Sequence, residues 1–337
     1  MRYRQLPGTP LQVSEIGFGV WTVSTSWWGV KEESVRERLL KRALEMGINF
    51  FDTADTYGNG EGESVLTRFL KAQREKMVIA TKFGYDFYHH TRQEGHEELP
   101  QDFSPKYIRF ALEESLKRLA TDRIDLYQLH NCRIDAIQRD DTFAELEKLK
   151  KEGKIRAFGV ALGPAIAPRQ AEEGRAAIEK RRVNTVQIIY NLLEQMLGEP
   201  VFAPARRLES GVLVRVPHAS GLLDGTVTRE TVFGKEDHRY HRVSSAERKR
   251  LWQEEGLKKV EQLGFLTEKT GRTLSQAALK FILREPSITS VFPNIYNEKL
   301  LEEFAAAPDT LDLTDTEFDR VQVLVAHNFG LAPASAG

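Results

Sequence analysis

A single cysteine, Cys132, stands among 337 residues, so no disulfide can form within the chain, and the usage fits a reducing compartment. A surplus of one charge is missing too. The 48 Lys and Arg face 49 Asp and Glu, a formal charge of -1, and the signs are interspersed, as in "AELEKLKKEGK". A nucleic-acid-binding surface needs a basic excess, which is absent. No stretch approaches the run of about 18 apolar residues that a membrane-spanning helix requires. The opening "MRYRQLPGTP" lacks the apolar centre of a secretory leader. A soluble, cytoplasmic protein with no nucleic-acid or membrane partner is expected. With 41% hydrophobic residues, the chain has enough for a sizeable core.

Short apolar runs recur along the chain: "EIGFGV" (15–20), "INFF" (48–51), "MVIAT" (77–81), "IDLYQLH" (124–130), "IRAFGV" (155–160), "VNTVQII" (183–189), "VLVRV" (212–216) and "ITSVF" (288–292). Helical periodicity separates them. In "SVRERLLKRALEMG", Val35, Leu39, Leu40 and Ala43 share a face and Gly47 is placed to end the helix. "SPKYIRFALEESLKRL" offers Ser104 as N-cap with Pro105 at the first helical position. "DTFAELEKLKKEGKI" starts near Asp141 and stops at Gly153, and Thr273 caps "LSQAALKFILREP". Strands alternating with helices imply parallel pairing, because parallel strands need long crossovers.

Eight runs turn that α/β pattern into a (β/α)8 TIM barrel, with residues 1–337 as one domain. A doubly wound sheet is the alternative, but no run is followed by the glycine-rich turn that fold uses for dinucleotides. Residues 1–14 read as a hairpin closing the bottom of the barrel, and additional helices are expected at 245–271 and 314–328. Two long irregular segments, 83–104 and 217–245, follow strands on the face where barrel active sites form.

Polar residues collect on that face. Asp52 ends the second run, Lys82 follows the third, His130 ends the fourth, and Tyr57 lies five residues beyond Asp52. Singly, each has an ordinary reading as a turn residue, a solvated charge or a hydrogen-bonded histidine. Together they suit carbonyl chemistry. An ammonium beside a phenol favours the phenolate, so the phenol gives up its proton more readily. Asp52 would hold Lys82, His130 would orient the carbonyl oxygen, and Tyr57 would protonate it. None of the four can carry a hydride, so a cofactor must.

The motifs "VSEIGFGVW", "FDTADTYG", "VIATKFG", "SLKRLATDRIDLYQLH", "KIRAFGV", "VQIIYN", "ASGLLDG" and "LSQAALKFIL" resemble the aldo-keto reductase family over roughly residues 10–304. That resemblance implies a barrel binding an extended nicotinamide cofactor, with Asp52, Tyr57, Lys82 and His130 as the catalytic set. It also implies cofactor contacts. Gln187 matches a glutamine at the carboxamide, Trp21 an aromatic near the substrate pocket, and Arg215 the position of the aromatic stacked on nicotinamide. Ala161 and Leu162 replace the usual Ser-Asn. Asn294, Leu300 and Phe304 stand where ligands of the adenosine phosphate are expected, leaving Lys299 as the cation of "FPNIYNEKLLEEF". NADP(H) is expected over NAD(H) by a small margin.

Other residues invite other readings. His89, His90, His96, Glu97, Asp237, His238 and His241 could assemble a metal site, but a polar loop is simpler and no metal is expected. Cys132 is expected to act as a small buried hydrophobe. Trp27, Trp28, Tyr85, Phe87 and Tyr88 could line a substrate pocket or pack loops. The function expected is reversible hydride transfer between NAD(P)(H) and an aldehyde, ketone or sugar, by a monomer. The alternatives are a cofactor-binding regulatory module and a lyase or isomerase holding a tightly bound cofactor.

Overall fold

The computed structural model describes residues 1–25, 28–90, 98–242 and 246–331, the side chains of 241–242 and 246–247 excepted. Strands β1 (Tyr3–Gln5) and β2 (Gln12–Ser14) form an antiparallel hairpin. Eight parallel strands follow in sequential order: β3 (Phe18–Gly19), β4 (Phe50–Asp52), β5 (Val78–Phe83), β6 (Ile124–Cys132), β7 (Ile155–Leu162), β8 (Thr185–Ile189), β9 (Gly211–Arg215) and β10 (Ile288–Phe292). The ring closes where Ile16 bridges Val291 in parallel, through Gly17 N–H on the Val291 carbonyl and Val291 N–H on the Glu15 carbonyl, each at 2.9 Å.

Helices Glu33–Glu45, Glu61–Leu70, Pro105–Leu119, Asp140–Lys151, Arg169–Glu179, Gly198–Leu208 and Leu274–Leu283 join successive strands, and Glu298–Ala306 follows β10. Ser104 caps its helix by accepting from the Tyr107 N–H, and Thr273 forms a full capping box with Gln276. Gly47 ends the first helix with φ +87°, a conformation costly for any residue with a Cβ. Helices Ala246–Glu261 and Asp315–Ala326 are the additional ones, and the segment expected to be irregular at 217–245 contains a short helix, His238–Arg242. Among the described residues, no helix is long and apolar enough to cross a membrane.

Two cores result. The larger lies between strands and helices and holds Phe18, Phe51, Ile79, Tyr127, Leu129, Cys132 and Phe158. The smaller fills the barrel's lower interior: Phe50, Val78, Ala80, Leu126, Ala157, Leu213 and Phe292, sealed by Leu6 and Val13 of the hairpin. Alternate residues of a strand share a face. The next inward positions above Phe50, Ala80, Leu126 and Leu213 are therefore Asp52, Lys82, Gln128 and Arg215. The floor is apolar and the layer above it is charged and polar.

Candidate active site

Lys82 sits at the centre of that layer, 1% exposed. Its ammonium donates to Asp52 Oδ1 at 2.5 Å, to the Thr53 carbonyl at 2.7 Å and to the Tyr57 hydroxyl at 3.4 Å. Three donors meet three acceptors, which is what a buried ammonium needs. Burial pushes the lysine pKa down, but the Asp52 carboxylate and the Tyr57 phenol more than offset it, leaving the ammonium above its ordinary range. The other oxygen of Asp52 accepts from Gln187 Nε2 at 2.9 Å and from Gln128 Nε2 at 3.3 Å.

Tyr57 is delivered by the turn after β4. Its N–H donates to the Ala54 carbonyl, and its own carbonyl accepts from Gly62. Gly58 must be glycine here: φ is +58°, and a Cβ would fall 2.1 Å from the Ser24 carbonyl oxygen. The Tyr57 ring lies edge-on to Trp21 at 4.9 Å and to His130 at 5.7 Å between centroids. His130 also meets the Tyr85 ring at 5.1 Å, and its backbone carbonyl accepts from Gln101 Nε2 at 2.7 Å. Asp52, Tyr57, Lys82 and His130, distant in sequence, thus meet at one mouth. Gln128 was overlooked. It sits two residues before His130 on the same inward face of a strand, and that spacing was the available signal.

The cofactor candidates are distributed around this centre. Gln187 spends one of its two amide N–H donors on Asp52, which leaves the second N–H and the carbonyl oxygen to meet a carboxamide. Arg215 reaches from β9 past β8 to β7, where Nη2 donates to the carbonyls of Leu162, at 2.5 Å, and Gly163. Ala161 and Leu162 are the last residues of β7, each 1% exposed. Asn294 is half-buried just beyond β10, and Lys299 is exposed on the first turn of Glu298–Ala306. Leu300 and Phe304 are buried, Phe304 against the His218 ring at 4.5 Å. The donor set fits a nicotinamide cofactor. It sets a phenol beside an ammonium, and neither group can carry a hydride, which such a cofactor would supply.

Cys132 is fully buried in the outer core, and burial pushes its thiol well above the ordinary range. Trp28 is buried, with its ring 5.7 Å from Trp21, 5.7 Å from Tyr296 and 4.1 Å from His238. Phe87 and Tyr88 stack together at 4.1 Å, and Tyr88 meets Phe110 at 4.9 Å, so this pair packs on the loop and helix rather than on the Tyr57 side. His89 and His90 face Asp86 at the surface. Trp27, His96, Glu97 and the His241 side chain lie outside the described residues. Among the described residues, no three His, Cys, Asp or Glu side chains are grouped to hold a metal ion.

The profile described as "Aldo/keto reductase family" matches residues 15–326. Aldo-keto reductase YhdN of Bacillus subtilis (strain 168) is 31% identical over 289 residues, 85% of this chain and 82% of the relative. The NADH-specific methylglyoxal reductase of Escherichia coli (strain K12) is 28% identical over 332 residues, covering 94% and 96%. Among solved structures, the glycerol dehydrogenase AKR11B4 from Gluconobacter oxydans superposes with a TM-score of 0.82 at 27% identity, covering 99% of this chain and 98% of that one. The holo form of aldo-keto reductase AKR11C1 from Bacillus halodurans gives 0.74 at 30% identity, covering 96% of each.

Proposed function

Because the chain belongs to the aldo/keto reductase family, and so is an NAD(P)H-dependent carbonyl oxidoreductase, we propose that Tyr57 is its proton donor and acceptor, with Lys82, Asp52 and His130 as its supports. The observation that carries this reading is the buried Lys82 ammonium, held on Asp52 and 3.4 Å from the Tyr57 hydroxyl. A nicotinamide cofactor, when bound, supplies or recovers the hydride. The chain's own groups handle the proton and the charge. As negative charge grows on the carbonyl oxygen, Tyr57 transfers its hydroxyl proton to that oxygen. The phenolate left behind is stabilised by Lys82, whose position is fixed by Asp52. His130 donates to the same oxygen and sets its orientation. In the reverse direction the phenolate removes the alcohol proton. The surrounding Trp21 ring and the apolar floor keep water away, which strengthens each of these interactions.

The substrate is a small-molecule aldehyde, ketone or sugar. At the adenosine end, NADP(H) and NAD(H) are discriminated only weakly, by a small margin toward NADP(H). Lys299 is the local cation, while Leu300 and Phe304 are turned into the core and offer a phosphate nothing. A protein named NADH-specific stands among the relatives, in keeping with a family site that tolerates either cofactor. Titration with NADPH and NADH at one ionic strength checks this: a preference beyond about a hundredfold, roughly 2.7 kcal/mol, contradicts it.

Tyr57→Phe tests the central assignment. It deletes one hydroxyl and keeps the ring, so cofactor affinity should hold while turnover falls by about 10²–10⁴-fold. Turnover close to that of the parent would move the acid role elsewhere.

A further inference from the structure

Two arginines meet beside the ends of β6 and β7, and the proton-transfer chemistry uses neither. Arg215 is anchored on the carbonyls of Leu162 and Gly163. Arg133, the residue after β6, reaches the same place. A Cβ on Gly163 would fall 2.7 Å from Arg133 Nη1 and 3.4 Å from Arg169 Nη2. Arg133 Nη1 is buried and makes no hydrogen bond among the described residues. Its carboxylate neighbour, Glu98, lies 3.8 Å from Nη2, beyond hydrogen-bond length.

The charges around this point do not account for that donor. Glu173 is 2% exposed and is held by Arg169 at 3.3 Å. Burial pushes its carboxyl up, with Arg133 pulling the other way and Asp135 and Glu172 adding to the rise. The Arg133 side chain as a whole is 36% exposed, so its covered Nη1 is a donor left open to an incoming acceptor at the mouth.

Tyr85 ties this place to the reacting centre. Its ring is 5.1 Å from that of His130, and its hydroxyl accepts from Asn131 Nδ2 at 3.0 Å. Burial pushes the Tyr85 phenol up to about 12, with the Asn131 hydrogen bond, Arg133 and Arg215 acting downward and Glu98 upward. The Tyr85 hydroxyl also reaches Glu98 Oε1 at 3.5 Å, the carboxylate beside Arg133, so Arg133 and a hydroxyl that borders His130 share one neighbour. Asn131 itself adopts φ +51°, a left-handed conformation that asparagine tolerates better than most side chains, in the step between His130 and Cys132.

We propose that the carbonyl substrate carries an anionic group, a carboxylate or a phosphate, which Arg133 binds at the β6–β7 side of the mouth while the carbonyl lies at Tyr57 and His130. This rests on the reductase reading above and adds to it the class of substrate. A guanidinium offers paired donors matched to either oxyanion, whereas neutral aldehydes leave Nη1 without an acceptor.

Matched substrates test it: succinic semialdehyde against butanal, and glyceraldehyde 3-phosphate against glyceraldehyde, with NADPH and NADH on the full chain. One charged member should exceed its neutral counterpart in kcat/KM by about 10–100-fold, the range expected of a hydrogen bond to a charged group. Which one does so separates carboxylate from phosphate. Arg133→Met should remove most of that advantage through KM, with a smaller loss on the neutral aldehyde, and Arg133→Lys should restore part of it. In the unsubstituted protein, succinate or inorganic phosphate should inhibit butanal reduction competitively, which keeps the test open should Arg133→Met fail to fold. Equal efficiency on charged and neutral members, equal losses on both in Arg133→Met, or an absence of anion inhibition each overturns the proposal while leaving the reductase reading intact. No turnover of any of the four with either cofactor overturns this proposal, while titration with NADPH and NADH tests the reductase reading separately.

Discussion

Asp52 and Asp55 stand three residues apart in one motif and are buried to a similar degree, 5% and 0% exposed, yet their surroundings differ completely. Asp52 faces the barrel interior and receives an ammonium and two amide donors. Asp55 feels the charges of Glu63 and Arg118, and neither of its carboxyl oxygens has a hydrogen-bond partner among the described residues. Arg118 is held by Glu63 at 2.6 Å, and Glu63 also accepts from the Thr81 hydroxyl at 2.6 Å. Burial and then the Glu63 charge push the Asp55 carboxyl well above its ordinary value, against the weaker opposing pull of Arg118, the Thr56 backbone N–H and Lys82. Burial does not decide whether a carboxyl is charged; the partner does. One of these two carboxyls is paired with an ammonium, and the other is pushed toward its protonated form.

The harshest way to break the contrast is Lys82→Met, which gives Asp52 the isolation of Asp55. Removing one partner of a buried ion pair should cost about 3–5 kcal/mol, read by denaturant unfolding at pH 7, alongside loss of turnover. A loss below about 1 kcal/mol, the range of an exposed pair, would mean that the two glutamines suffice to hold the charge. Gln187→Leu removes one amide donor and should cost about 1–3 kcal/mol, with a lower affinity for cofactor. Stability unchanged from the parent would show that Gln128 takes over its role.

The smallest effect is read as a slope. The raised Asp55 value means that the folded chain keeps a proton which the unfolded chain releases above about pH 3.8. Stability from this group is therefore present at low pH and declines as pH rises toward the folded value, by no more than about 1.4 kcal/mol per pH unit. Asp55→Asn removes the titration. Parent and variant should lie closest at pH 4, with the variant gaining toward pH 8. A constant offset across unfolding curves at those pH values would mean that Asp55 is ionised in the folded chain.

The same contrast shows what the sequence could and could not disclose. Strands and caps are local. Eight apolar runs, Ser104 before Pro105 and Thr273 before Gln276 can be read within a window of a few residues, and all stand in the structure. Asp52, Lys82 and His130 could be read because each ends or nearly ends a strand, and a barrel brings such ends together. Asp55 and Arg133 were passed over because their character depends on residues such as Glu63, Arg118 and Gly163, set nearby only by packing between helices and loops. Strand limits moved for a related reason. β7 continues two residues past the run 155–160, because Ala161 pairs with His130 and with Gln187, and Leu162 with Cys132, whichever side chains they carry.

Arg4 lies in the hairpin, but its guanidinium donates to the carbonyls of Leu283, at 2.6 Å, Glu285, at 3.1 Å, and Ile288, at 2.7 Å. These bonds join residues more than 270 positions apart, the first strand of the chain to the end of the Leu274–Leu283 helix and the start of the last strand of the ring. During synthesis the two partners are separated by nearly the whole polypeptide. Until Ile288–Phe292 has emerged, β9 and β3 are open sheet edges of the kind that recruit other chains. Ring closure is thus a late and entropically demanding step for a ribosome-bound chain. A product truncated before Leu283 would keep the whole Asp52–Lys82–Tyr57 constellation in its sequence and still reach the cell as an aggregate.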